Sequence, residues 1–313
     1  MTDQTLVLLA ALSLLVGLSA YAVLAGADFG GGVWDLFARG PRRGDQRAAI
    51  ERAIGPVWEV NHVWIIFVIV VLFTAFPKAF AALCIGLFAP LTFVLLGIVL
   101  RGSAFAFRAH SEDQPELQRW LGVAFSVSSL VTPFALGLAA GAVAAGALEP
   151  VGEGWETVPV GELLRPFPLA TGLLAVLICS FLAAVFLTRE TDGDLREDFR
   201  RRALVAGAAL AVVAAIGLVL APDAAPEHAA TLLTGRGLPF ALAAGAFGAA
   251  GLACLAARRY RLVRPLGVAF VLAILWGWAV AQWPYAVTPH LTFAEAASSP
   301  SMLRVYLVCL AIG

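Results

Sequence analysis

Ionisable side chains within apolar runs are where this sequence could do chemistry, because a charge in or beside a membrane span is costly and turns towards protein or water. Five stand out, Asp28, Glu59, His62, Arg101 and Arg108, with Asn61 as a neutral neighbour. Asp28 closes an apolar stretch and precedes Gly30, Gly31 and Gly32 in GADFGGGVWD (26–35). The glycines predict a break in the first helix, with Asp28 capping the free N–H groups of a short surface helix that carries Val33, Trp34, Leu36 and Phe37. The other reading is a carboxylate on a proton or ion route.

The second cluster is GPVWEVNHVW (55–64). Pro56 suits the first turn of a helix, where its missing N–H costs nothing. Glu59 and His62 then fall at i and i+3 on one face, able to exchange a proton or share a ligand. Glu-x-x-His also occurs in di-iron bundles, but those sites need two such motifs and two further carboxylates. This chain has one motif, and His110, His228 and His290 fall in loops or at span ends, so no metal site is expected. Two readings stay open: a structural cluster, with Glu59 capping its own helix and His62 donating to backbone, or proton transfer through a desolvated carboxylate. Arg101 and Arg108 bound LRGSAFAFR (100–108), where they could snorkel and fix topology, or tether a propionate, a lipid phosphate or a quinone head group. Together with Trp58 and Trp64 they are structural or interface candidates.

These residues need a membrane scaffold to hold them. The chain has 313 residues, 61% hydrophobic and 13% charged, with no net charge and a mean hydropathy of +0.89, far from a soluble domain. Eight runs are long enough to cross a bilayer: Leu6–Gly26, Val57–Phe76, Ala79–Leu100, Leu121–Leu148, Phe167–Leu187, Ala203–Ala221, Leu238–Ala257 and Pro265–Trp283. A ninth begins near Leu303 and stops at Gly313, which predicts a partial helix or a truncated end. Leu6–Gly26 lacks a basic n-region and a cleavage site, so it is expected to be a retained span. Of the 21 basic residues, 17 fall on the side reached after odd-numbered spans, which puts that side in the cytoplasm and the N-terminus outside. The acidic loop with Glu149, Glu153, Glu156 and Glu162 is then external. The mixed-charge stretch 189–202 reads as a cytoplasmic linker between two helical bundles, residues 1–188 and 200–313, within one integral membrane domain. The expected fold is therefore all-α and polytopic, about nine transmembrane helices in two four-helix bundles plus a peripheral ninth. Cys84, Cys179, Cys254 and Cys309 are expected as buried filler, since no C-x-x-C pair exists.

Phosphate loops, dinucleotide fingerprints, nucleophile elbows and basic patches with interleaved aromatics are all absent, so nucleic acid is not an expected partner. A secondary transporter would show inverted repeats and helices broken at mid-depth, and the sequence shows neither, which makes transport the weaker alternative.

At these residues the sequence resembles subunit II of the cytochrome bd-type quinol oxidases. The resemblance rests on GADFGGG (26–32), the G-P-V-W-E-x-N-H-V-W run, LRGSAFAFR and the late segment GWAVAQWPYAVTPHLTFAEAASSPSMLR (277–304). It implies a nine-helix membrane subunit of the bacterial cell membrane. The partner it implies is a haem-bearing subunit I, carrying haems b and d and the quinol-oxidising loop, in a complex that oxidises quinol, reduces dioxygen to water and generates a proton gradient. A small accessory subunit, membrane lipids and a bound quinone are further implied partners, and this chain alone is expected to bind no cofactor. Carried over by motif position, Glu59 lies near a proton path at the subunit boundary, beside Trp58 and Asn61, and Asp28 is the acid of the first-span motif. The chain departs from the family in having Ala25 where some members place a second acid, Gly102 where a proline is common, and an earlier end to the last helix.

Overall fold

The computed structural model describes residues 2–55, 58–108 and 114–312; the side chains of Ile54, Trp58, Glu59, Arg108 and Pro115 stand outside that description, as does all of His110. Helix α1 (Asp3–Leu36) is one uninterrupted run of 34 residues, about 50 Å at 1.5 Å per residue. The expected break at the glycines does not occur. Val33, Trp34 and Leu36 form the last turns of α1, with Phe37 as its C-cap, and the surface helix is instead α2 (Arg43–Ile54). Glycine weakens a helix in water, but between packed membrane helices it lets backbones touch. A Cβ on Gly30 would lie 1.9 Å from the Cys179 carbonyl oxygen, and one on Gly32 would lie 2.0 Å from Ser129 Oγ.

Helix α3 (Trp58–Ala75) is followed by α4 (Pro77–Gly86), and the two meet at a bend of 118°. Pro77 at the start of α4 allows the chain to turn without losing a donor. The third span therefore does not begin at Ala79: it is α5 (Phe88–Arg108). Helix α6 (Pro115–Ala144) returns, and a two-stranded hairpin follows, β1 (Pro150–Val151) with β2 (Gly154–Trp155). After the short α7 (Val160–Leu163) come α8 (Pro166–Glu190) and α9 (Gly193–Ala224). The expected mixed-charge linker is thus mostly helix, with only residues 191–192 between α8 and α9. Acid–arginine pairs at helical spacing, Asp192 with Arg196 and Glu197 with Arg200, suit it to that role.

The chain continues through α10 (Pro226–Leu233), α11 (Leu238–Ala256) and α12 (Tyr260–Gln282). It ends in a second hairpin, β3 (Tyr285–Val287) with β4 (Leu291–Thr292), then α13 (Phe293–Ala296) and α14 (Pro300–Ile312). Among the described residues seven helices are long and apolar enough to cross a membrane, eight if α3 and α4 count as one bent span. The architecture is all-α and polytopic, as expected from the apolar runs. Helix α1 is central, packing against α3, α6 and α8, while α8 also meets α9 and α12. One core cluster joins Leu6, Leu14, Val71, Phe76 and Leu303; another joins Phe181, Val185, Leu210, Leu255 and Val263. Cys179 is buried, whereas Cys309 is exposed on the apolar surface of α14, contrary to the filler role expected for it.

Candidate functional site

Three sequence motifs converge on Asp28. Its carboxylate is 1% exposed, on the α1 face that meets α3 and α6. Arg101 of α5 reaches it with a two-pronged grip: Nη1 donates to Oδ2 at 2.8 Å and Nη2 to Oδ1 at 2.5 Å, with Nη2 also 3.1 Å from the Asp28 carbonyl. Asn61 Nδ2 of α3 donates a short hydrogen bond to Asp28 Oδ2. Arg101 Nε donates to Ser129 Oγ of α6 at 2.9 Å, and that hydroxyl in turn donates to the Phe125 carbonyl. The guanidinium lies 5.1 Å from the Phe29 ring centroid and 4.7 Å from that of Phe125. All three guanidinium nitrogens thus donate at least one hydrogen bond, which offsets the cost of burying the charge.

This geometry corrects two expectations. Asp28 does not cap a helix, because α1 continues for eight residues beyond it and leaves no free N–H groups there. Arg101 does not snorkel: it is itself 1% exposed and points into the protein. At 1.5 Å per residue, the eight residues of α1 after Asp28 and the seven of α5 after Arg101 set the pair about 10–12 Å inside the helix ends. The site is a clamp fastening α1, α3, α5 and α6 together within the bundle, rather than a group at its mouth.

Glu59 lies in the first turn of α3, two residues before Asn61, and Arg108 is the last residue of α5. Half-buried His62 follows Asn61, and Trp64 packs edge-on to Phe67 at 6.0 Å, beside the cluster of Tyr21 and Phe29. Among the described residues no group of three or more His, Cys, Asp or Glu is placed to hold a metal ion. His228 is buried in α10 near Trp278, where desolvation pushes its imidazole down to about 4. His290 lies 3.3 Å from Glu149.

A second buried acid went unread in the sequence. Asp35, 2% exposed, sits seven residues after Asp28, two helical turns along one face of α1. Ser126 Oγ donates to its Oδ2 at 3.3 Å, and Arg47 Nε of α2 lies 3.3 Å from Oδ1. The signal was present in two spacings, Asp28 to Asp35 on α1 and Ser126 to Ser129 on α6, but it can be seen only once α1 is continuous. The two acids make a polar seam between α1 and α6, closed at its inner end by Arg101 and towards the helix ends by Arg47.

A family model described as cytochrome bd terminal oxidase subunit II matches residues 6–313. The chain is 31% identical over 181 residues to cytochrome bd ubiquinol oxidase subunit 2 of Bacillus subtilis, covering 58% of this chain and 52% of that one. It is also 31% identical over 210 residues to cytochrome bd-I ubiquinol oxidase subunit 2 of Escherichia coli, covering 66% and 54%. The matched part thus spans about half the length of these curated relatives. In fold it is similar to a chain in the structure of bd oxidase from Geobacillus thermodenitrificans, with a TM-score of 0.83 and 22% identity over 98% of this chain and 94% of that one.

Proposed function

Given that the chain belongs to the cytochrome bd terminal oxidase subunit II family, we propose that it is the non-haem subunit of an oxidase that oxidises quinol and reduces dioxygen to water. Two quinols yield four electrons and four protons, and one dioxygen consumes four of each to give two waters. In this reading haems b and d and the quinol-oxidising site belong to a partner, subunit I, whose haems would supply the electron-transfer and dioxygen chemistry. This chain supports the assembly of that partner and brings it protons from the arginine-rich side, with the N-terminus on the opposite, outer face of a bacterial cell membrane. Residues 1–188 and 200–313 act as its two helical bundles.

What supports the reading is that the family match spans residues 6–313 and that its motif residues Asp28, Asn61 and Arg101 meet in one buried constellation. Asp28 is committed to Arg101 and serves as the clamp, leaving Glu59, with His62 near it in sequence, as the proposed carrier of protons. An apolar cleft of about 480 Å3, walled by α1 and by Trp276, Trp278 and Trp283 with Arg236 at its rim, would accept a quinone or a lipid tail.

The test is co-purification. The full chain expressed with its neighbours should bring down a larger protein with haem bands in a reduced-minus-oxidised spectrum; a stable, colourless preparation would overturn the oxidase reading. Glu59→Gln should slow oxygen consumption with haem content intact. Normal turnover in a fully assembled complex would remove Glu59 from the proton route.

A further inference from the structure

At the arginine-rich end, the turn between α11 and α12 faces the junction of α8 and α9 across an open cleft of about 690 Å3. Five arginines line it, Arg189, Arg196, Arg258, Arg259 and Arg261, together with Tyr260 and Leu262. We propose that this cleft binds the phosphate of an anionic phospholipid headgroup. The inference does not rest on the oxidase reading.

Every acid close to the cleft is already engaged: Asp192 with Arg196, Glu190 with Arg264 at 3.6 Å, and Glu197 with Arg200 and Arg258 while accepting from the Tyr260 hydroxyl at 2.5 Å. Arg189, Arg259 and Arg261 are exposed and have no acidic side chain within 4.0 Å among the described residues. The other basic cleft at this end, lined by Arg39, Arg42, Arg201 and Arg202, contains Asp198 in its own wall, which takes both Arg42 and Gln46. So three arginines of the α11–α12 cleft carry uncompensated charge with no carboxylate among its lining residues, whereas its neighbour has Asp198 in its wall.

Arg258 is the only non-glycine residue among those described with a positive φ, 57°, just past the end of α11, a position where glycine avoids a cost of about 1–2 kcal/mol. The arginine held there lines the cleft and ties the turn to Glu197 of α9, which a strain-free glycine could not do. Arg196, stacked 5.1 Å from the Tyr260 ring, forms the opposite wall.

Location selects a lipid over a soluble anion. The cleft opens where two apolar spans end, and Leu262 on its rim is 51% exposed. A phospholipid can place its phosphate among guanidinium groups and its acyl chain along α11 and α12 at once. A free phosphate gains only the first contact.

The full chain in detergent, titrated with phosphatidylglycerol or phosphatidylcholine and read by native mass spectrometry, tests this. The wild type should hold phosphatidylglycerol about tenfold more tightly, on the basis of several arginines each acting on one anionic headgroup. The triple variant R189Q/R259Q/R261Q should bring that preference close to unity. The charge-matched control R43Q/R52Q/R119Q, on exposed positions outside the cleft, should keep it. If the triple variant does not purify, R261Q alone should lower the preference about twofold, its share of the tenfold preference. Equal binding of the two lipids by the wild type, equal loss in the control, an unchanged preference in the cleft variants, or displacement of the lipid by excess inorganic phosphate would each overturn the proposal.

Discussion

Two of the arginine–carboxylate assemblies are built from similar parts in opposite surroundings. Arg101 and Asp28 are sealed in the bundle, 1% and 0% exposed in their side chains. Glu197 gathers Arg200, Arg258 and Tyr260 at the surface, with 28% of its side chain exposed. Hydrogen bonds hold the Glu197 carboxyl at about 2, Tyr260 contributing most and then Arg258 and Arg200. Yet those partners are redundant and water can replace each of them. The buried pair has no substitute: remove one member and the other is left charged in a low dielectric. Geometry alone would rank the two alike, and surroundings separate them.

The largest effect expected follows directly. Arg101→Met should cost about 3–5 kcal/mol, the usual penalty for stranding one member of a buried pair. Unfolding of the purified chain by SDS titration measures it. The double variant D28L/R101M should recover much of the loss, because an apolar replacement of both members leaves no unpaired charge. A single-variant loss below about 1 kcal/mol, the range of surface pairs, would show that water reaches Asp28 and would erase the contrast.

A smaller effect tests the close packing that encloses the clamp. Gly30→Ala puts a methyl 1.9 Å from the Cys179 carbonyl oxygen and 2.4 Å from its carbon, both backbone, so α1 and α8 must separate. Overpacking of this kind costs about 1–3 kcal/mol. Gly217→Ala on α9 meets nothing within 4 Å, and should be neutral or gain up to about 1 kcal/mol of helix propensity. Equal responses in the two variants would mean that helix propensity, not helix contact, governs the glycines.

The same contrast explains what could be read from the sequence. Hydropathy located the spans because bilayer thickness fixes their length, and unequal arginine counts picked out the end where the charged network lies. The motif residues Asp28, Asn61 and Arg101 were marked by the cost of placing polar groups in apolar runs. Their partnership was not legible, since it depends on α1 passing straight through three glycines. Water-based rules read Gly30, Gly31 and Gly32 as a breaker, whereas in a packed membrane bundle they are contact points. The start of the third span was misplaced for a related reason. The residues of α4 are as apolar as a true span, and hydropathy alone carries no sign of a 118° turn at Phe76. Asp35 is not legible as a buried acid, because the glycines place its stretch in a surface segment that does not form.

The smallest effect sharpens the comparison through salt. Glu197→Gln removes the acceptor shared by Arg200, Arg258 and Tyr260, but all of these groups lie where solvent competes. Its folded-state carboxyl sits below the ordinary value, so the stability it contributes is present at neutral pH and is lost as pH falls through about 2–4.5. At pH 7 the substitution should shift the unfolding midpoint only slightly, and that shift should fade as ionic strength rises from about 0.05 M to about 0.5 M, because the Debye length contracts below the spacing of exposed charges. The Arg101→Met penalty should stay constant over the same range, since mobile ions do not enter a sealed bundle. A salt response shared by both variants would place the two assemblies in one environment; a salt-independent Glu197→Gln loss would make the surface network a second rigid clamp, with α9 and the α11–α12 turn fastened as firmly as α1 and α5.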